Sequence, residues 1–130
     1  MTDFNFLSLA IASIGAFILS SIWYMTLSGH LSKLHKAYAE NSKMPAWKVI
    51  IELLRSLAVA SMIAFVFNKL GVTNLGSSLL YGVAFWLAFP VVILAGSVVH
   101  EKVPVKLAYI HAGDWLIKLL FITTIITLWN

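Results

Sequence analysis

Four stretches of this chain are almost free of charge and long: Phe4 to Leu27, Trp47 to Leu70, Gly76 to Val99 and Val105 to Trp129. A helix needs about 20 apolar residues, at about 1.5 Å each, to cross a bilayer, so each stretch is long enough to span. The pattern predicts an all-α fold, a polytopic membrane four-helix bundle, with spans at about 4-27, 47-70, 76-99 and 105-129 of a single domain, 1-130. The longest connection, Ser28 to Ala46, has Leu31, Leu34 and Tyr38 at helical spacing, with Lys33, Lys36 and Glu40 pointing elsewhere. It therefore reads as a short interfacial helix between spans one and two, broken by Asn41 to Pro45.

The fourth span carries the unusual chemistry. His111, Asp114 and Lys118 are separated by three and four residues, which places them on one helical face. A charge at mid-bilayer costs roughly 2.5–3.5 kcal/mol on insertion scales, so the stripe is expected to face other helices or a wet cavity. Span two offers a counterpart in Lys48, Glu52 and Arg55, spaced by four and three. Glu52 with Arg55 and Asp114 with Lys118 make a formally neutral quartet in which the two stripes can meet. His111 is then the group whose charge can change near neutral pH. His30, Lys48 and His100 fall near the same ends of their spans and complete a polar mouth.

Other punctuation is structural. Pro104 stands at the start of span four, where a missing N–H costs little, whereas Pro90 lies inside span three and should bend it or free a carbonyl. Ala12, Ser13, Gly15, Ala16 and Ser20 in span one, and Gly82, Ala84, Ala88, Ala95 and Gly96 in span three, let helix backbones approach closely. They are the expected packing partners of the charged pair and the expected basis of self-association, most often a symmetric dimer. A faint likeness at an offset of about 62 residues pairs Trp47 with Tyr109 and Glu52 with Asp114, as a parallel duplication would.

Composition narrows the class further. Hydrophobic residues make up 61% of the 130 residues and charged residues 11%, against about 25% charged in an average soluble domain. The net charge of +4 does not signal nucleic-acid binding, since the lysines lie beside the spans and no basic stripe with interleaved aromatics occurs. There is no cysteine, which excludes disulfides, thiolate metal sites and cysteine nucleophiles. No serine sits in a nucleophile elbow. His111 with Asp114 is only half a metal site, and bis-histidine haem ligation by His111 and His100 is a weaker alternative. No enzyme activity, metal or cofactor is therefore expected. Two readings stand: an intramembrane charged and histidine network for proton or small-solute passage or gating, and a non-catalytic binding or assembly subunit in which the network is structural. A small-molecule or lipid-headgroup site with Arg55 or Lys118 gripping an anion is a further option.

Ile22-Trp23-Tyr24 closing span one, Trp86 and Phe89-Pro90 in span three, and Ile110-His111-Ala112-Gly113-Asp114-Trp115 in span four resemble the small bacterial integral membrane proteins grouped as domain of unknown function 1761. The resemblance covers nearly the whole chain. It implies a four-span protein of the bacterial inner membrane and transfers no activity and no catalytic residue.

Orientation follows from charge. Met1-Thr2-Asp3 has no basic n-region and runs into a stretch too long for a signal peptide, so span one should remain uncleaved. Lys33, Lys36, Lys43 and Lys48 follow span one and Lys102 and Lys106 flank the start of span four, while only Lys69 marks the other connection. By the positive-inside rule both termini lie outside the cytoplasm. Reporter fusions at the two ends test this: both should report a non-cytoplasmic location, and a cytoplasmic signal from either would reverse the assignment.

Overall fold

The computed structural model describes residues 5–27, 29–30, 33 and 45–129. They form five helices: α1 (Phe6–Thr26), α2 (Ala46–Leu70), α3 (Leu75–Ala88), α4 (Pro90–Glu101) and α5 (Val105–Trp129). The third apolar stretch, Leu75–Glu101, holds both α3 and α4, so four helical segments are long and apolar enough to cross a membrane. The fold is the expected all-α polytopic bundle. The interfacial helix expected between Ser28 and Ala46 falls almost wholly outside the described residues.

Local chemistry sets the boundaries. Asn5 caps α1 by accepting from the Ser8 N–H at 3.1 Å, and Asn74 caps α3 by accepting from the Ser77 N–H at 2.8 Å; both satisfy an orphan donor of the first turn. α2 ends at Gly71, whose φ of 69° lies in the left-handed region. Pro90 has no N–H to give Trp86 and restricts Phe89, which adopts φ −116° and ψ −76°. Span three therefore breaks into α3 and α4 at the residue before the proline.

α5 is the hub. Every other helix packs against it, and α1 also packs against α2. Apolar residues occur on all its faces, the signature of a fully surrounded helix, and no residue from 110 to 127 is exposed. The main core joins Leu9, Ala12 and Ala16 of α1, Ala60, Ile63 and Phe67 of α2, and Leu119, Ile122 and Ile126 of α5. Ala12, Ala16 and Ala60 are completely buried, so small side chains here set how closely the helices approach. Much of the small-residue surface of span one is thus consumed inside the protomer, whereas Ala84, Ala88 and Ala95 of span three remain exposed.

Hydrogen bonds point to the same centre. Among the described residues, every side-chain hydrogen bond between different segments ends on α5. Trp23 Nε1 donates to the Ile110 carbonyl at 2.9 Å, Trp86 Nε1 to the Ala112 carbonyl at 2.8 Å and Ser78 Oγ to the Thr123 carbonyl at 2.9 Å. Asn5 Nδ2 donates to the Trp129 carbonyl at 2.9 Å, satisfying one of the last acceptors of α5. Tyr24 pairs with His111 and Lys106 with His30. Indole N–H is a donor only, and hydrocarbon offers no acceptor, so the two tryptophans are directed onto carbonyls of the neighbouring helix. Such interhelical bonds are worth about 0.6–2 kcal/mol each in membranes.

The clamp needs close approach at Gly113, where an added Cβ would stand 2.6 Å from Trp23 Cζ2. Gly113→Ala should therefore displace the indole, weaken its bond to Ile110 and destabilise the bundle by about 1–3 kcal/mol. Gly96 has open space around it, so Gly96→Ala should be neutral or stabilise by up to about 1 kcal/mol through helix propensity. Unfolding in mixed micelles compares the two; equal effects would discount the Trp23 clamp.

Candidate functional site

The centre of the site is an ion pair within one helix. Asp114 precedes Lys118 by one turn, the favourable order for an acid and a base on a helix, and Lys118 Nζ lies 3.0 Å from Asp114 Oδ2. The two side chains are only 4% and 9% exposed. Lys118 Nζ also sits 4.0 Å from the centroid of the Trp115 ring, so an aromatic face supplies part of the solvation that burial removes. Asp114 Oδ1 is buried and, among the described residues, has no hydrogen-bond partner. A pair removed from water loses hydration on both ions, and their attraction offsets that cost only when geometry is good. Here the salt bridge and the ring contact share the offset, while one carboxylate oxygen is left unsatisfied.

Span two holds the second pair, in a different environment. Arg55 Nη1 donates to Glu52 Oε1 at 2.6 Å, with the side chains 55% and 32% exposed. The two pairs are those that the spacing offered, Glu52 with Arg55 and Asp114 with Lys118, each acid taking the base one turn along its own helix; among the described residues no ion pair joins α2 to α5. Helical side chains lean toward the N-terminus, so Lys118 reaches back to Asp114 and Arg55 to Glu52. Arg55 and Lys118 both border the space where α2 and α5 meet. Arg55, Ser56 and Val59 line one side of a small gap and Trp115, Lys118 and Ile122 the other. Its volume of about 10 Å³ is the room needed for a single water centre.

His111 shares the stripe but binds elsewhere. Its Nδ1 and the Tyr24 hydroxyl of α1 form a 2.6 Å hydrogen bond, its direction set by the histidine tautomer, and the rings are tilted at 57° with centroids 5.7 Å apart. Leu107 and Ile110 form a second apolar cluster there with Trp23, Tyr24, Leu27 and Val103. The residues assigned to a mouth are exposed. Lys106 Nζ donates to His30 Nδ1 at 3.1 Å, Lys48 stands over the Trp47 ring at 5.5 Å, and His100 lies in the last turn of α4.

The residues that sequence reasoning undervalued are aromatic. Trp23, Tyr24 and Trp86 read as span-end or family features, yet they form hydrogen bonds with 110, 111 and 112 of α5. A signal was present: an indole inside an apolar span carries an N–H that must find an acceptor. The Ile110-His111-Ala112-Gly113-Asp114-Trp115 run is therefore one unit. It supplies two accepting carbonyls, a histidine, a glycine under Trp23, the buried acid and the ring under Lys118.

No curated protein and no solved structure matches the chain. The family described as Protein of unknown function (DUF1761) matches over residues 7–127. That match takes in all four apolar segments, the Trp23-Tyr24 end of α1 and the whole Ile110 to Trp115 run, and this chain belongs to that family.

Proposed function

We propose that this integral membrane protein is a non-catalytic binding or assembly subunit in which the Asp114–Lys118 pair is a dry structural joint. The observation that carries the reading is the closure of that pair within α5 under the Trp115 ring, 3.0 Å between the charged atoms, beside a gap of only about 10 Å³. Proton or solute passage needs a hydrated route on either side of the titrating group, and the space between α2 and α5 accommodates about one water. One observation favours the second reading, a proton or small-solute path: among the described residues Asp114 Oδ1 lacks a donor, and a buried carboxylate oxygen in that condition has room in its hydrogen bonding for a water. Residence in a bacterial inner membrane, with both termini outside the cytoplasm, completes the proposal.

The joint and the path separate by mutation. Asp114→Asn leaves the Lys118 charge buried without its counter-ion and should cost about 3–5 kcal/mol in folding stability. Replacing both partners by apolar residues of similar volume, Asp114→Leu with Lys118→Met, should recover most of that loss. Persistent destabilisation of the double variant, despite intact helix content, would contradict the joint.

Transport is tested in proteoliposomes. The parent protein should pass neither protons nor common small ions above the lipid background. His111→Gln, which keeps a hydrogen-bonding group for Tyr24 while abolishing titration near neutral pH, should change nothing. A pH-dependent flux in the parent that disappears in His111→Gln would establish the path and overturn the joint.

A further inference from the structure

The outer face of α2 contains a second, unabsorbed feature. Ile51, Arg55, Ala58, Met62, Phe65 and Lys69 follow one another at alternating steps of four and three, and all six are exposed. That is the seam of a left-handed helix pair, and among the described residues the protomer borders it only at Arg55, on the edge of the gap to α5. Arg55 lies in the seam about 13 Å along α2 from Ala46, deep enough to sit within the hydrocarbon. Its guanidinium has five N–H donors and, among the described residues, one partner, Glu52 Oε1 at 2.6 Å. Charges inside a membrane face other helices or wet cavities rather than lipid. By contrast the apolar groove between α1 and α2, about 380 Å³ in volume, has no charged group that would select a protein over a lipid chain.

We infer that α2 docks against α2 of a second copy of this chain, forming a two-fold dimer held by a Glu52–Arg55 quartet. Two copies inserted with the same orientation are related by an axis along the membrane normal, so their α2 helices run parallel and meet face to itself. Each Arg55 then has its own Glu52 and the partner's Glu52 within reach, giving two acids and two bases with no net charge. Ala58, one turn further along, sits at the crossing and lets the backbones approach. The dimer rests on the reading of this chain as an assembly subunit. Flux through the parent would overturn that reading without touching the dimer, and a monomeric protein would overturn the dimer without touching the dry joint.

The chain has no cysteine, so a single one reports cleanly. Ala58→Cys in native membranes should form a disulfide-linked species of twice the chain mass on mild oxidation, whereas Ile93→Cys on the exposed face of α4 should not. Absence of the Ala58→Cys dimer, equal crosslinking at both positions, or a product of a different mass would overturn the proposal. Charge reversal then tests the quartet. Arg55→Glu and Glu52→Arg should each lose self-association by about tenfold or more, and the two variants, co-expressed with different tags, should pair with each other at parental levels. Loss in both single variants with no recovery in the mixture would overturn the quartet, as would Arg55→Glu dimerising as well as the parent. Recovery also shows that the variants fold.

Discussion

A helix enclosed by its neighbours over most of its length must obtain most of its polar partners from protein, and α5 is such a helix. Its residues from 110 to 127 are buried or half-buried, and its neighbours are arranged around that requirement. Asn5 and Trp23 approach from α1, Ser78 and Trp86 from α3, each donating to a carbonyl of α5. The donors also need α5, since hydroxyl, amide and indole groups in hydrocarbon have no other acceptor. This reciprocity locates the helices more specifically than apolar packing, which in a membrane distinguishes poorly between a helix and a lipid tail.

The charged groups obey the same constraint in two ways. Asp114 and Lys118 are withdrawn from lipid entirely, closed on each other and covered by Trp115. Glu52 and Arg55 have the same within-helix geometry but remain outside the bundle. One pair is completed by its own protomer and the other asks for a surface beyond it. A protein built this way has a rigid interior and an outward-facing polar handle, which suits an assembly role better than a conduit. The close fit of Gly113 beneath Trp23 and Gly15 beneath the Phe121 ring belongs to the same rigid interior.

The fold was legible because span length and charge placement follow from bilayer thickness and the cost of charge in hydrocarbon. The break at Phe89 was legible in kind, since Pro90 was expected to bend span three. Offsets of three and four put Glu52 with Arg55 and Asp114 with Lys118, and the ion pairs close that way; the same offsets leave open whether the two stripes also join each other. That depends on rotamers and on the separation of α2 from α5, neither of which is encoded in spacing. The roles of Trp23 and Trp86 were hidden for a related reason, because an aromatic residue near a span end is equally an interfacial anchor. Their acceptors, the carbonyls of Ile110 and Ala112, have no signature in the sequence.

In the proposed joint the α5 pair is shielded from water and closed on itself. Water-edited solid-state NMR of the protein in lipid bilayers measures this at the side chains themselves. Magnetisation from water should reach the Lys118 and Asp114 side chains as slowly as it reaches Ile122 and Ile126, and quickly reach Lys106 at the exposed end of the same helix. Transfer to Lys118 as fast as to Lys106 would show a hydrated site and contradict the account.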